Sequence, residues 1–130
     1  MCKTIHHKVK FKASPFEIYN LLAKSDQHTK LSEHKAVIGK KIGDKFTTYS
    51  GYVRGINVDL EPGKRIVQAW RSKDFPKGIF SMATFTFKPI KGGGTELDLT
   101  HRGVPKQLIP AIEKFWRSRY WERIKKFSKK

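Results

Sequence analysis

The chain has 130 residues, a length that suits one hydrophobic core spanning residues 1–130 rather than two. With 38% hydrophobic and 12% aromatic residues it is too apolar for a disordered tail, and at 30% charged it is too polar for a membrane-embedded protein. The outlying figure is the charge: 28 Lys and Arg against 11 Asp and Glu give a formal +17, which predicts attraction to anions.

The first eight residues carry two lysines and no apolar run of signal-peptide length, so export is not expected. No apolar stretch approaches the roughly 18 residues needed to cross a bilayer, so no membrane span is expected either. Cys2 is the only cysteine. That excludes an intrachain disulfide and a Cys-rich zinc site, and points to a reducing, cytoplasmic setting.

Ile5, Val9 and Phe11 alternate with Lys8, Lys10 and Lys12, with His7 on the apolar parity, which predicts a half-buried strand. Ser14, Pro15 and Glu17 then supply an N-cap, a first-turn proline and the third-position acid of a capping box, so a helix begins there. Phe16, Tyr19, Leu22 and Ala23 are its expected buried stripe. Ser25 to Ser32 reads as a second short helix or turn, and Ala36 to Gly39 as renewed extended structure.

From Ile42 to Arg102 short β-type runs alternate with turn signals such as Glu61-Pro62-Gly63 and Lys91-Gly92-Gly93-Gly94, which predicts an antiparallel meander. Tyr52, Ile56, Val58 and Leu60 share one parity, and so do Ile79, Ala83, Phe85 and Phe87. Leu97 and Leu99 oppose Glu96, Asp98 and Thr100. Phe80 and Met82 fall on the other parity, so their strand is either covered on both faces or exposed at one end. After Gly103-Val104-Pro105 the spacing becomes three and four: Ile109, Ile112, Trp116, Tyr120, Ile124 and Phe127 fall on one face of a helix. Pro110 fits only in a first turn, so that helix starts between Lys106 and Ile109.

This order is an α+β helix-grip arrangement, a curved antiparallel sheet wrapped around a long C-terminal helix. Three stretches, Gly51-Tyr52-Val53-Arg54-Gly55, Asp59-Leu60-Glu61-Pro62 and Arg65-Ile66-Val67-Gln68-Ala69-Trp70-Arg71, closely resemble the C-terminal domain of the activator of heat-shock protein 90 ATPase. Phe75-Pro76-Lys77-Gly78-Ile79-Phe80, Gly94-Thr95-Glu96-Leu97, Gly103-Val104-Pro105 and the pattern Trp116, Tyr120, Lys125, Phe127 continue the likeness in order along nearly the whole chain. The resemblance implies the START/SRPBCC fold of the birch-pollen allergen, lipid-transfer domains and polyketide cyclases. It also implies a chaperone partner. The eukaryotic co-chaperones have a separate N-terminal domain and an Asn-Trp-His-Trp type motif that this sequence lacks, so a stand-alone domain is expected.

No catalytic set, metal site or cofactor is expected. His6 and His7 point to opposite faces of a strand; His28 and His34 are six apart, a spacing that fits no standard zinc pattern. His101 shares the parity of Leu97 and Leu99 and reads as a half-buried strand-end histidine. Glu96 and Asp98 lie on one strand face, about 7 Å apart, and read as a solvated charge pattern. Gly92-Gly93-Gly94 lacks the strand-to-helix context of a phosphate loop.

Two candidate sites remain. Trp70, Phe85, Phe87, Leu97, Leu99, His101, Ile112, Trp116 and Tyr120 are expected between sheet and terminal helix, where they could line a cavity for a small hydrophobic ligand. From Lys114 to Lys130 eight basic residues stand against one acid, Glu122. Lys114, Arg117, Arg123, Lys125 and Lys126 are the candidates for a basic partner-binding face. Further groups are Lys3, Lys8, Lys10 and Lys12 on strand one, and Lys35, Lys40, Lys41 and Lys45. Whether these groups merge is open from sequence. The basic surface reads as a solvated face or as a site for an acidic protein. Nucleic acid or anionic membrane, with Trp121 and Arg102 as stacking groups, is the weaker third reading.

Overall fold

In the computed structural model, which describes residues 2–128, the predicted β-runs join into one seven-stranded antiparallel sheet. Its strands are β1 (Cys2–Phe11), β2 (Val37–Ile38), β3 (Lys45–Thr48), β4 (Val53–Glu61), β5 (Arg65–Ser72), β6 (Ser81–Pro89) and β7 (Thr95–Pro105). The order β1-β7-β6-β5-β4-β3-β2 leaves β1 and β2 as the two edges. Helices α1 (Pro15–Ala23) and α2 (Ser25–Ser32) connect them. The terminal helix consists of α3 (Ile109–Phe115), a π-helical segment (Trp116–Trp121) and α4 (Glu122–Phe127). The curved sheet grips this helix, as the helix-grip reading expected. Among the described residues no helix is long and apolar enough to cross a membrane.

Local chemistry sets the helix boundaries. The Ser14 hydroxyl accepts from the Glu17 N–H at 3.3 Å, and the Glu17 carboxylate accepts from the Ser14 N–H at 3.1 Å, closing the capping box with Pro15 in the first turn. A turn of 3-10 helix (Lys106–Leu108) precedes α3, which has Pro110 in its first turn. The inner sheet face, with Ile5, Ile66, Trp70, Ala83, Phe85, Phe87, Leu97 and Leu99, buries itself against Ile112, Trp116, Tyr120 and Ile124.

Four expectations are corrected. In α1 the buried residues are Ile18, Tyr19, Leu21 and Leu22, while Phe16 is 59% exposed; its ring lies over Gly63 in the β4–β5 turn instead of the core. In β4 the inward residues are Val53, Gly55 and Asn57, and Ile56 and Val58 face outward, 39% and 43% exposed. Gly55 stands where a Cβ would come within 1.7 Å of the Ala69 carbonyl oxygen, so only glycine lets β5 approach. Asn57 is tolerated inside because its amide donates to the Gly39 carbonyl (2.8 Å) and its oxygen accepts from Gln68 (3.3 Å). A bulge between Asn57 and Asp59 then exchanges faces, which returns Leu60 to the edge of the core.

The third correction is Ile79, which precedes β6 and is exposed; Phe80 and Met82 beside it are also exposed, so that end of the strand is open on its outer face. The fourth is in the terminal helix. The π-turn takes more residues per turn than an α-turn, so side chains five apart superpose. Trp121, a stacking group under the weaker nucleic-acid reading, is only 5% exposed and stacks on Trp116 with centroids 5.8 Å apart and planes at 17°. The Tyr49 hydroxyl donates to the Arg119 carbonyl inside this segment at 3.0 Å. Phe127 leaves the buried face. Lys129 and Lys130 of the basic run lie outside the described residues.

Candidate functional site

The nine residues expected around a cavity do come together. Trp116 is their centre, with ring centroids 5.6 Å from Trp70, 5.5 Å from Phe85 and 4.8 Å from Tyr120. Here they close on one another. The internal space left, walled by residues such as Leu22, His28, Gln68, Trp70 and Tyr120, is about 10 Å³, room for about one water.

His101 is fully buried rather than half-buried. The Trp116 indole N–H donates to its Nδ1 at 3.1 Å. Indole nitrogen only donates, so Nδ1 must accept and the proton must sit on Nε2. Nε2–H then donates to the Ser81 hydroxyl at 2.7 Å, which in turn donates to the Trp70 carbonyl at 2.8 Å. A serine this close to a histidine invites a nucleophile–base reading, but a general base must offer a lone pair to the hydroxyl, and His101 offers a proton. Burial pushes its pKa down to about 3. The chain of bonds ties β5, β6, β7 and the terminal helix together as structure. His28 is its counterpart on the helical side. It is buried, its Nε2 lies 2.8 Å from the Tyr120 hydroxyl, and burial lowers its pKa to about 4. Burial also raises Tyr120 well above the usual phenol range.

Glu96 and Asp98 stand on the outer face among cations. Glu96 is flanked by Lys10 and Lys88 in the neighbouring strands, and Asp98 meets His6 at 3.0 Å. Among the described residues no three His, Cys, Asp or Glu side chains are grouped to hold a metal.

The basic groups do not merge into one surface, although Lys8 of β1 borders the same hollow as Arg117 and Lys125 of the terminal helix. A surface groove of about 510 Å³ runs between β1 and the terminal helix, lined by His6, His7, Lys8 and Val9 on one side and by Arg117, Trp121, Glu122 and Lys125 on the other. The indole of Trp121 donates to His7 Nδ1 at 2.9 Å, and His7 Nε2 lies 3.5 Å from Glu113, so helix and strand are pinned together across the groove floor. Lys8 borders the same groove as Arg117 and Lys125 and stands beside Asp98, its neighbour on β7. Arg123 and Lys126 line a separate hollow beside α2. There Arg123 donates to the Leu31 carbonyl at 3.1 Å and lies 3.8 Å from Glu33, binding the end of α2. Lys114 is exposed on the helix and lines neither hollow. Lys40 belongs to the far side, near α1, α2 and β2.

Sequence reasoning missed two features. One is the tie from Trp121 to His7, for which the five-residue Trp116–Trp121 interval is the available signal. The other is the outward turn of Ile56 and Val58, which sets them on the same outer sheet face as the exposed Phe80 and Met82, where the Arg71 guanidinium lies 5.6 Å from the Phe80 ring centre.

A family model described as Activator of Hsp90 ATPase homolog 1-like protein matches residues 12–129. The chain belongs to that family. Among curated relatives in the Activator of Hsp90 ATPase homolog 1-like family, the human activator of 90 kDa heat shock protein ATPase homolog 1 is 36% identical over 124 residues. That match covers 95% of this chain and 36% of the human protein. The homolog from Dictyostelium discoideum is 29% identical over 123 residues, covering 95% of this chain and 32% of its own. The chain therefore spans about a third of the length of these relatives. A crystal structure of an HSP90 activator from Plasmodium falciparum superposes with a TM-score of 0.91 at 22% identity, over 96% of this chain and 95% of that one, which shows the shared fold.

Proposed function

We propose that this domain is a non-enzymatic binding module that docks on an acidic protein partner, a chaperone of the 90-kDa heat-shock class, through the groove between β1 and the terminal helix. The observation that carries the reading is that Lys8, Arg117 and Lys125, from two distant parts of the chain, border one groove whose lining includes one carboxylate, Glu122, while the neighbouring Glu113 and Asp98 are engaged by His7 and His6. Clustered cations of this kind speed encounter with an acidic surface and make binding salt-sensitive. The curated relatives bear names as activators of the 90 kDa heat shock protein ATPase, which supplies the class of partner. The direction of the His101 and Ser81 protons speaks against hydrolytic chemistry inside the fold. The test is the steady-state ATPase rate of the chaperone from the same cell. Added domain changes that rate at low salt and loses the effect as salt rises; a constant rate at every domain concentration, with no measurable binding, refutes the reading.

The alternative is a carrier of a small hydrophobic ligand between sheet and helix. One observation favours it: His28 Nδ1 is buried without a hydrogen-bond partner among the described residues, and His28 lies on the wall of the small internal space. A ligand would have to spread the aromatic cluster. Native mass spectrometry across a lipid panel tests this, and an unshifted mass together with an unchanged melting temperature refutes it.

A further inference from the structure

β1 is an edge strand ten residues long, paired only with β7 among the described residues. The other edge, β2, has two residues and can template little. A long edge presents a row of unpaired N–H and C=O groups that another chain can pair with. The groove beside β1 touches four consecutive residues, His6 to Val9. Successive strand side chains point to opposite faces, so a groove in contact with all four runs along the strand's open main-chain edge. Its far wall is the terminal helix, which sets Arg117 and Lys125 facing that edge.

We infer that this groove takes an extended acidic segment of a partner protein as an added strand on β1, its main chain pairing with the edge and its carboxylates answered by Lys8, Arg117 and Lys125. The inference rests on the docking reading above and names the form of the partner. Charge decides between occupants. A second copy of the chain would add a strand bearing Lys8 and Lys10 to the face that already carries them, so like charge opposes pairing of β1 with itself, whereas an acidic strand is attracted. A nucleic acid would match the cations, but Trp121 offers it no open ring face: the ring is 5% exposed, stacked on Trp116 and bonded to His7. A polypeptide also satisfies the main-chain donors and acceptors that β1 presents at its edge. Contact along His6 to Val9 corresponds to about 10 Å of strand, so the docked segment has about four to six residues.

The test uses the full chain, labelled with nitrogen-15, and two capped peptides of about eight residues, one alternating Glu with Val and one alternating Glu with Pro, which has the same charge but cannot pair as a strand. The Glu-Val peptide is expected to shift the backbone amides of residues 6–9 and slow hydrogen exchange at those facing the groove. The Glu-Pro peptide is expected to bind at least about tenfold more weakly, and the variant Arg117→Glu/Lys125→Glu to weaken Glu-Val binding by about the same factor. Equal binding of both peptides, or Glu-Val binding without protection in β1, overturns strand addition while leaving the basic groove as a docking surface. A single-stranded oligonucleotide that displaces the Glu-Val peptide at lower concentration overturns the choice of polypeptide. Failure of both peptides to bind at low salt overturns both the inference and the docking reading.

Discussion

Acidification should weaken this fold through two histidines that are distant in sequence. His28 and His101 are 1% and 0% exposed, and burial lowers their pKa values from 6.5 to about 4 and about 3. In the unfolded chain both return to about 6.5. Because the folded values lie below the unfolded one, the unfolded state binds more protons as the medium is acidified. Stability is therefore complete above about pH 7 and falls progressively as pH drops through 6.5 toward about 4 and 3. At about pH 5.5 each histidine costs on the order of 1 kcal/mol, and the pair about 2 to 3 kcal/mol, a large share of the roughly 5 to 15 kcal/mol that holds an ordinary domain. With an m-value of about 1.5 kcal/mol per molar urea, the unfolding midpoint should drop by about 2 M between pH 7.5 and about 5.5. The assay is paired urea titrations with m held constant, plus nuclear magnetic resonance titration of the histidine ring protons. His28→Asn should remove about half of the pH-dependent loss. An unchanged midpoint, or ring signals of His28 and His101 that titrate near 6.5, would refute the burial argument.

Three substitutions probe the other links. Gly55→Ala drives a methyl group into the Ala69 carbonyl of the next strand and should cost about 3 kcal/mol or more, read as a large fall in melting temperature. Ser14→Ala opens the capping box of α1 and should cost about 1 kcal/mol by urea titration, with Ser14→Asp recovering most of it. Trp121→Phe keeps a ring against Trp116 but removes the donor to His7, so it should cost about 1 kcal/mol and broaden the His7 ring signals; an unchanged stability and spectrum would show that the strand-to-helix tie carries no weight.

What could be read from the sequence was whatever depends on neighbours in the chain. Ser14, Pro15 and Glu17 announce α1 because a capping box is made within one turn. Ala83, Phe85, Phe87, Leu97 and Leu99 follow strict alternation and fall on the buried face as expected. Strand β4 misleads because its inward positions are held by a glycine that admits a neighbouring backbone and an asparagine that finds partners, so hydropathy points to the wrong face until the bulge reverses it. The inward turn of Trp121 was hidden because three-and-four spacing presumes an unbroken α-helix, and the π-turn changes the period. His101 has the expected parity, but its role depends on Ser81 and Trp116, which only the sheet register and the gripped helix bring together. The meeting of Lys8 with Arg117 and Lys125 likewise follows from the position of β1 at the sheet edge, a property of topology that composition does not contain.

In the proposed docking, one groove, and not the overall positive charge, recognises the partner. The most direct test is the affinity of the domain for the 90-kDa heat-shock chaperone of its own cell, measured at low and moderate salt for the unaltered chain, for Arg117→Glu/Lys125→Glu, and for Lys40→Glu/Lys41→Glu, which changes net charge equally on another face. The groove variant should lose at least about tenfold in affinity together with most of the salt dependence, while the Lys40/Lys41 variant should bind nearly as the unaltered chain does. Equal losses in both variants, or none in the groove variant, would contradict it.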